Sequence, residues 1–213
     1  MSPPAPAIIV EVERCGAPFL RFGYHRNRMR VIAGTYRSRL LQAPRGLISR
    51  PTSDRLRETL FNVLAPRMEG AVFADLYAGS GAVGIEALSR GAKHAFFAEK
   101  APAAVAAIRA NLAALQIRSG FHVEARGVAA ALRQAAAPFW DLVFLDPPYE
   151  DAEAYLSTLT GLGRPAAGLL APGAMVIAEH QRRTSLAESY GGLQRIRVLE
   201  QGDAALSFYV PAS

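Results

Sequence analysis

Cysteine occurs once in the 213 residues, at Cys15, and lysine only twice, at Lys93 and Lys100. A lone thiol excludes an internal disulfide and makes a reducing, cytoplasmic setting the expectation. No apolar run reaches the roughly 20 residues a membrane-spanning helix needs. The longest candidate, Ala101 to Leu115, is interrupted by Pro102 and Arg109. The opening residues lack the basic-then-apolar pattern of a secretory signal. Histidine is sparse as well. His25, His94, His122 and His180 share no metal-ligand spacing with one another or with Cys15, so no metal is expected.

Acidic residues are outnumbered, 18 against 24 basic ones, and the imbalance is local. Residues 1–58 carry 11 Arg and 4 acids, a net of +7, whereas the remainder stands at −1. A basic segment on a near-neutral body points to a polyanionic partner, because each Arg laid on a phosphate releases counterions. The competing reading is an Arg-rich surface that is merely solvated.

What is present is regular patterning from Met29 onward. Residues 1–28 begin Pro/Ala-rich and show no sustained period, which predicts a partly disordered extension. Arg30–Gly34 and Ser38–Gln42 are short strand-like runs and predict a basic β-hairpin within residues 29–50. Thr52 or Ser53 then caps a helix carrying Leu56, Leu60, Phe61 and Leu64, which Pro66 ends. From Ala71, strand candidates at 71–76, 94–98, 121–124, 141–145 and 174–178 alternate with helical stretches at 82–90, 102–116, 128–136 and 151–160. These strands are short and apolar without alternation, as when helices cover both faces of a parallel sheet. Runs 194–199 and 204–210, joined by Glu200–Asp203, predict a closing antiparallel hairpin.

Two loops carry chemistry. Asp75-Leu76-Tyr77-Ala78-Gly79-Ser80-Gly81 lies where the first parallel strand turns into its helix, and Gly79 and Gly81 let backbone approach a ligand closely. Gly79–Gly84 also fits G-x-G-x-x-G, so a nicotinamide-dependent oxidoreductase is a competing reading. Asp75 separates the two. A carboxylate just before the loop repels a pyrophosphate and attracts a cationic amino group, which suits S-adenosylmethionine. Glu99 closes the second strand and is placed to accept two hydrogen bonds from ribose hydroxyls. The bland alternative makes Asp75 a helix-capping acid and Glu99 a solvated strand end.

The second loop, Asp146-Pro147-Pro148-Tyr149, ends the run Trp140–Leu145. Its paired prolines stiffen the backbone. Asp146 and the Pro147 carbonyl can then accept the two hydrogens of a base's exocyclic amine, aiming its lone pair at a methyl group. Tyr149 supplies a stacking platform for an unpaired base. Trp140 is expected in the core, and Glu179-His180 is read as a solvated end of the fifth strand.

These residues resemble the amino-group methyltransferases of DNA and RNA. The chain is more narrowly similar to the RsmD-like family, the bacterial 16S rRNA guanine-N2 methyltransferases. The narrower likeness rests on Met29–Gly34, Arg50–Asn62, Gly79–Gly91 and Asp146–Tyr149, in order across residues 29 to about 210. The resemblance implies a Rossmann-like, seven-stranded class I methyltransferase sheet over residues 51–213, preceded by an RNA-contacting hairpin. It implies S-adenosylmethionine as cofactor, held by Asp75, Tyr77, Ala78, Gly79, Ser80, Gly81, Glu99, Lys100, Arg126, Gly127 and Asp146. Asp146, Pro147, Pro148 and Tyr149 form the catalytic set, and Arg30, Arg37, Arg39, Arg50 and Arg57 face RNA. The implied partner is 16S rRNA or a small-subunit assembly intermediate, for a monomeric enzyme.

The chain departs from the family after the third strand, where Glu124-Ala125-Arg126-Gly127 stands in place of the Asp or Asn that reads adenine. Arg126 cannot accept a hydrogen bond, so Glu124 or a carbonyl must take that role. DNA adenine-N6 or cytosine-N4 methylation is the alternative activity, and a non-catalytic RNA-binding module is a third reading. The absence of a separate target-recognition domain in 213 residues disfavours the DNA reading.

Overall fold

A computed structural model describes residues 29–44, 53–133, 139–164 and 168–212. The predicted extension 1–28, with Cys15 and His25, lies outside the described residues, as does Arg50.

Helix α1 (Asp54–Leu64) starts at Ser53, whose hydroxyl accepts the Leu56 N–H at 3.1 Å. Five parallel strands follow, separated by helices: β1 (Val72–Leu76), α2 (Ala82–Ser89), β2 (His94–Ala98), α3 (Pro102–Ala114), β3 (Phe121–Glu124), α4 (Val128–Ala131), β4 (Trp140–Leu145), α5 (Ala152–Leu162) and β5 (Leu170–Gln181). The chain then finishes antiparallel through β6 (Ser189–Tyr190), β7 (Leu193–Gln201) and β8 (Ala204–Pro211). One sheet results, with strand order β3-β2-β1-β4-β5-β8-β7-β6. The eighth strand, beyond the seven expected, is the two-residue β6 that pairs with β7.

Alternation along the strands sorts the core into two layers. Val72, Ala74 and Leu76 of β1 join Val143, Leu145, Val176 and Ala178 in packing under α5, through Tyr155, Leu159 and Leu162. Phe73 points the other way, with Phe144, Ile177 and Phe208, onto Leu56, Leu60, Phe61 and Leu64 of α1 and Val83 and Ala87 of α2. Each fully buried Val, Leu, Ile or Phe among them contributes roughly 1.5–3 kcal/mol. Trp140 is fully buried and tilts against Phe96, as expected.

The predicted hairpin is reduced to an isolated antiparallel bridge, Arg30 to Leu40. Its pairing includes Val31 N–H to the Arg39 carbonyl at 3.0 Å and Leu41 N–H to the Met29 carbonyl at 2.8 Å. Extended pairing is replaced by docking. Val31 and Leu41 bury against Ile85, Ile108 and Leu112, so the segment lies as a strap across α2 and α3.

Candidate functional site

Strand order reverses between β1 and β4, which places the C-terminal ends of those two strands side by side. Such a switch point is where an open parallel sheet leaves a crevice. Leu76 pairs with Leu145, and one step further the Asp146 N–H reaches the Leu76 carbonyl at 3.4 Å. The glycine-built and proline-built loops therefore leave the sheet from adjacent strand ends.

In the first loop the backbone turns sharply. Tyr77, Gly79 and Gly81 all have left-handed φ, at 63°, 54° and 77°. For a bulky residue such as Tyr77 that conformation is strained, and strain of this kind clusters at functional sites. The Tyr77 side chain packs against the core under α5, its hydroxyl 2.7 Å from Thr158 Oγ1. Ala78 is buried and ties its N–H to the Ala98 carbonyl. A Cβ added at Gly79 would meet nothing among the described residues within 4 Å, so space is open beside this backbone. Gly84 serves packing instead: a Cβ there would lie 2.3 Å from the Phe97 ring.

Asp75 is buried, and its Oδ2 accepts the Gly84 N–H at 2.8 Å, capping the first turn of α2. Burial pushes its carboxyl up to about 8, the Gly84 hydrogen bond only partly opposing and Glu99 adding to the rise. With no cation beside it among the described residues, this acid is held close to neutrality. Glu99 is more heavily engaged than the sequence implied. Its Oε2 accepts from Gly79 N, and its Oε1 from Lys100 N and Ala101 N, all at 2.8–2.9 Å. A carboxylate offers about four acceptor sites, so one is left for a ligand hydroxyl rather than two.

At the end of β3, Arg126 folds back on Glu124. Its backbone N–H, Nε and Nη2 all donate to that carboxylate, at 2.7–2.9 Å. Those side-chain hydrogen bonds hold Glu124 down to about 2. Arg126 itself is exposed. Gly127 has φ 87°, and a Cβ there would come within 3.0 Å of Lys100 Cβ, so it lets the segment after β2 pass closely. Lys100 is exposed at the rim.

In the second loop Pro147 is buried, Pro148 is exposed, and Asp146 and Tyr149 are half-buried. The Tyr149 hydroxyl donates to Glu179 Oε1 at 3.0 Å. Glu179-His180 is thus not a solvated strand end. Each is 3% exposed, because β5 continues to Gln181 and β8 pairs along it, with Glu179 opposite Leu206 and His180 opposite Ala205. The His180 ring spans the Ser207 hydroxyl and the Gln181 carbonyl, and burial lowers its pKa.

The arginines divide. Arg30, Arg37 and Arg39 are exposed on the strap, although Arg30 lies 3.6 Å from Asp54 and Arg39 donates to the Ala114 carbonyl. Arg30 and Arg37 line a groove against α1 together with Asp54, Arg55 and Glu58. Arg57 corrects the RNA-facing assignment. It is 1% exposed, and its Nη2 donates to the Arg30 carbonyl at 2.6 Å and to Asp54 at 2.9 Å. Its Nε finds no partner among the described residues. Desolvation lowers the pKa of this guanidinium, which holds the strap to α1.

Sequence reading also missed what fastens the strap. Glu86, fully buried on α2, accepts from Ile32 N at 2.7 Å, Ala33 N at 2.9 Å and Arg90 Nε at 2.7 Å. The Ser89 hydroxyl donates to the Ala33 carbonyl and accepts the Tyr36 N–H. Asn111 of α3 reaches Gln42 at both its N–H and its carbonyl, and also the Ser80 carbonyl in the glycine loop. Ser80 Oγ in turn meets Met29 Sδ at 3.3 Å. The available signal was an acid inside helix Ala82–Ser89, which is apolar around it up to its final serine.

Residues 29–210 match the family model described as "Conserved hypothetical protein 95". A curated relative from Bacillus subtilis, "Putative rRNA methyltransferase YlbH", is 34% identical over 85% of this chain and 98% of its own length. "Ribosomal RNA small subunit methyltransferase D" of Escherichia coli is 42% identical over 57% of this chain and 61% of its own. The solved structure of "Putative methyltransferase yhhF" from Escherichia coli superposes with a TM-score of 0.76 at 33% identity, covering 87% of this chain and 98% of that one. The fold is the α/β methyltransferase fold.

Proposed function

This chain belongs to the Conserved hypothetical protein 95 family, the RsmD-like group, and from that premise we propose that it methylates the exocyclic N2 of a guanine in small-subunit ribosomal RNA. It is an S-adenosylmethionine-dependent rRNA methyltransferase. The observation that carries the reading is the pairing of strand ends: the Asp146 N–H on the Leu76 carbonyl brings a loop open to a ligand beside a loop suited to an amine.

The donor set fits the cofactor. Asp75, a buried acid raised to about 8, has no cation beside it among the described residues, and an ammonium group would provide one. With Oδ2 on the Gly84 N–H, Asp75 would hold the amino group, and Gly79 and Gly81 would let the backbone close on the ligand. Glu99 contributes one ribose contact. Tyr77, Ala78, Ser80, Lys100, Arg126 and Gly127 frame the rest, Arg126 by orienting Glu124 rather than by touching adenine. When bound, the cofactor supplies an electrophilic methyl group on sulfur.

The chain's own task is to prepare the nitrogen. Asp146 and the Pro147 carbonyl accept the two N–H groups of the amine, which withdraws its lone pair from the ring and orients it. Tyr149 stacks on the extruded base, and Arg30, Arg37 and Arg39 hold RNA phosphates. Methyl-labelled transfer to small-subunit RNA, to duplex DNA and to neither distinguishes the activities. Nucleoside mass spectrometry then identifies N2-methylguanosine against N6-methyladenine or N4-methylcytosine. Asp146→Ala should lower turnover on RNA about a hundredfold or more with an unchanged melting temperature. Wild-type turnover by that variant would remove Asp146 from the mechanism.

A further inference from the structure

Tyr149 is the one aromatic of the proline-built loop, and a stacking platform works only if its ring is held at a fixed angle. Its chain neighbours Pro148 and Glu150 are both exposed. One hold comes from another strand. Leu145 pairs with Ala178, so Asp146, just past the end of β4, stands level with Glu179, which lies two residues before the end of β5. From there the Glu179 carboxylate accepts the Tyr149 hydroxyl at 3.0 Å. Glu179 is itself fixed, because the buried Tyr155 hydroxyl donates to its main-chain carbonyl at 2.8 Å and β8 pairs along its other side. A 3%-exposed carboxylate with these ties is a rigid acceptor, and a phenol on a carboxylate is among the stronger hydrogen bonds.

We propose that Glu179 is a positioning residue that clamps the Tyr149 ring in the orientation needed to receive the target base. The proposal rests on the methyltransferase reading above and goes beyond it by assigning a residue outside both loops. A carboxylate that only stabilised the fold would be felt in melting temperature and in cofactor binding. A clamp is felt at the reacting base.

The test is a double-mutant cycle on RNA methylation. Tyr149→Phe and Glu179→Ala should each lower kcat by about tenfold, the upper range of one ordinary hydrogen bond. The double variant should be no worse than either single one. S-adenosylhomocysteine affinity by calorimetry should match wild type in all of them, and Glu179→Gln, which keeps an acceptor oxygen, should restore most of kcat. Additive losses, a Glu179→Gln variant as slow as Glu179→Ala, or weakened S-adenosylhomocysteine binding would each overturn the clamp.

Fluorotyrosine at position 149 provides a reading independent of methyl transfer. Its resonance should move in Glu179→Ala and return in Glu179→Gln. An unmoved resonance overturns the clamp even in an active enzyme. A resonance that moves in Glu179→Ala, alongside a wild-type protein that methylates no RNA, sinks the functional reading while leaving the clamp standing.

Discussion

Asp75 shows how a single side chain reports its ligand. Its folded carboxyl titrates near 8 against an ordinary 3.8, with Gly84 and Glu99 as its polar neighbours. Protonation therefore favours the folded state: this contribution is complete below pH 4 and is lost as pH rises through about 8. A cationic amino group requires the ionised acid, so the ligand dependence runs the other way. S-adenosylhomocysteine affinity should fall by up to about tenfold for each pH unit below 8, with a proton released on binding. Calorimetry in buffers of different ionisation enthalpy measures both. In Asp75→Asn the Gly84 N–H keeps an acceptor, so the melting temperature should hold while affinity and its pH dependence disappear. A pH-independent wild-type affinity between 6 and 8 would show that Asp75 only caps the helix. Both readings of Asp75 were legible in the sequence, because the end of a strand before a glycine loop suits either role. Burial is the largest cause of its raised pKa, and burial depends on α2 packing over β1.

At the scale of elements, the strap 29–42 is the part that local pattern described least well. Its short apolar runs read as a hairpin, yet only Arg30 and Leu40 form a bridge. The backbone groups of Ile32 and Ala33 turn instead to the carboxylate of Glu86, 53 or 54 residues away. No local propensity encodes a partner at that separation. Gly34, with φ 80°, makes the approach sterically feasible, since a Cβ there would lie 1.8 Å from the Ser89 carbonyl oxygen. Glu86→Ala leaves two strap N–H groups and the Arg90 guanidinium without that acceptor. It should cost about 3 kcal/mol, a fall in melting temperature of roughly 6–12 °C. Calorimetry checks the fall, and limited proteolysis should place early cleavage in the strap. A variant that melts with wild type would mean that strap docking rests on Val31 and Leu41 alone.

Across the whole molecule, charge and fold divide the arginines that composition had grouped together. Replacing Arg30, Arg37 and Arg39 with Ala should leave the melting temperature unchanged and weaken RNA binding at all sequences. If each contacts one phosphate, the triple variant lowers the slope of log affinity against log salt by about 2. Arg57→Ala should do the opposite. It removes the donor to Arg30 and Asp54 from the interior, so the melting temperature falls and the salt slope is retained. Salt-dependent binding and thermal melting on the two variants separate these outcomes. An unchanged slope in the triple variant would move the RNA surface off the strap.

The alternation of strands with helices, the two loops and their order were legible from residue pattern alone, because period, glycine and proline act over a few residues. The same holds for β2 and β3, which occupy the expected residues. Other features were decided only by the folded chain. They include the pairing of Leu76 with Leu145, the clamp between Glu179 and Tyr149, the burial of Arg57 and the turn of Arg126 onto Glu124. Most of these join residues remote in the chain, and whether a polar side chain faces water or a partner depends on which strands the sheet sets side by side.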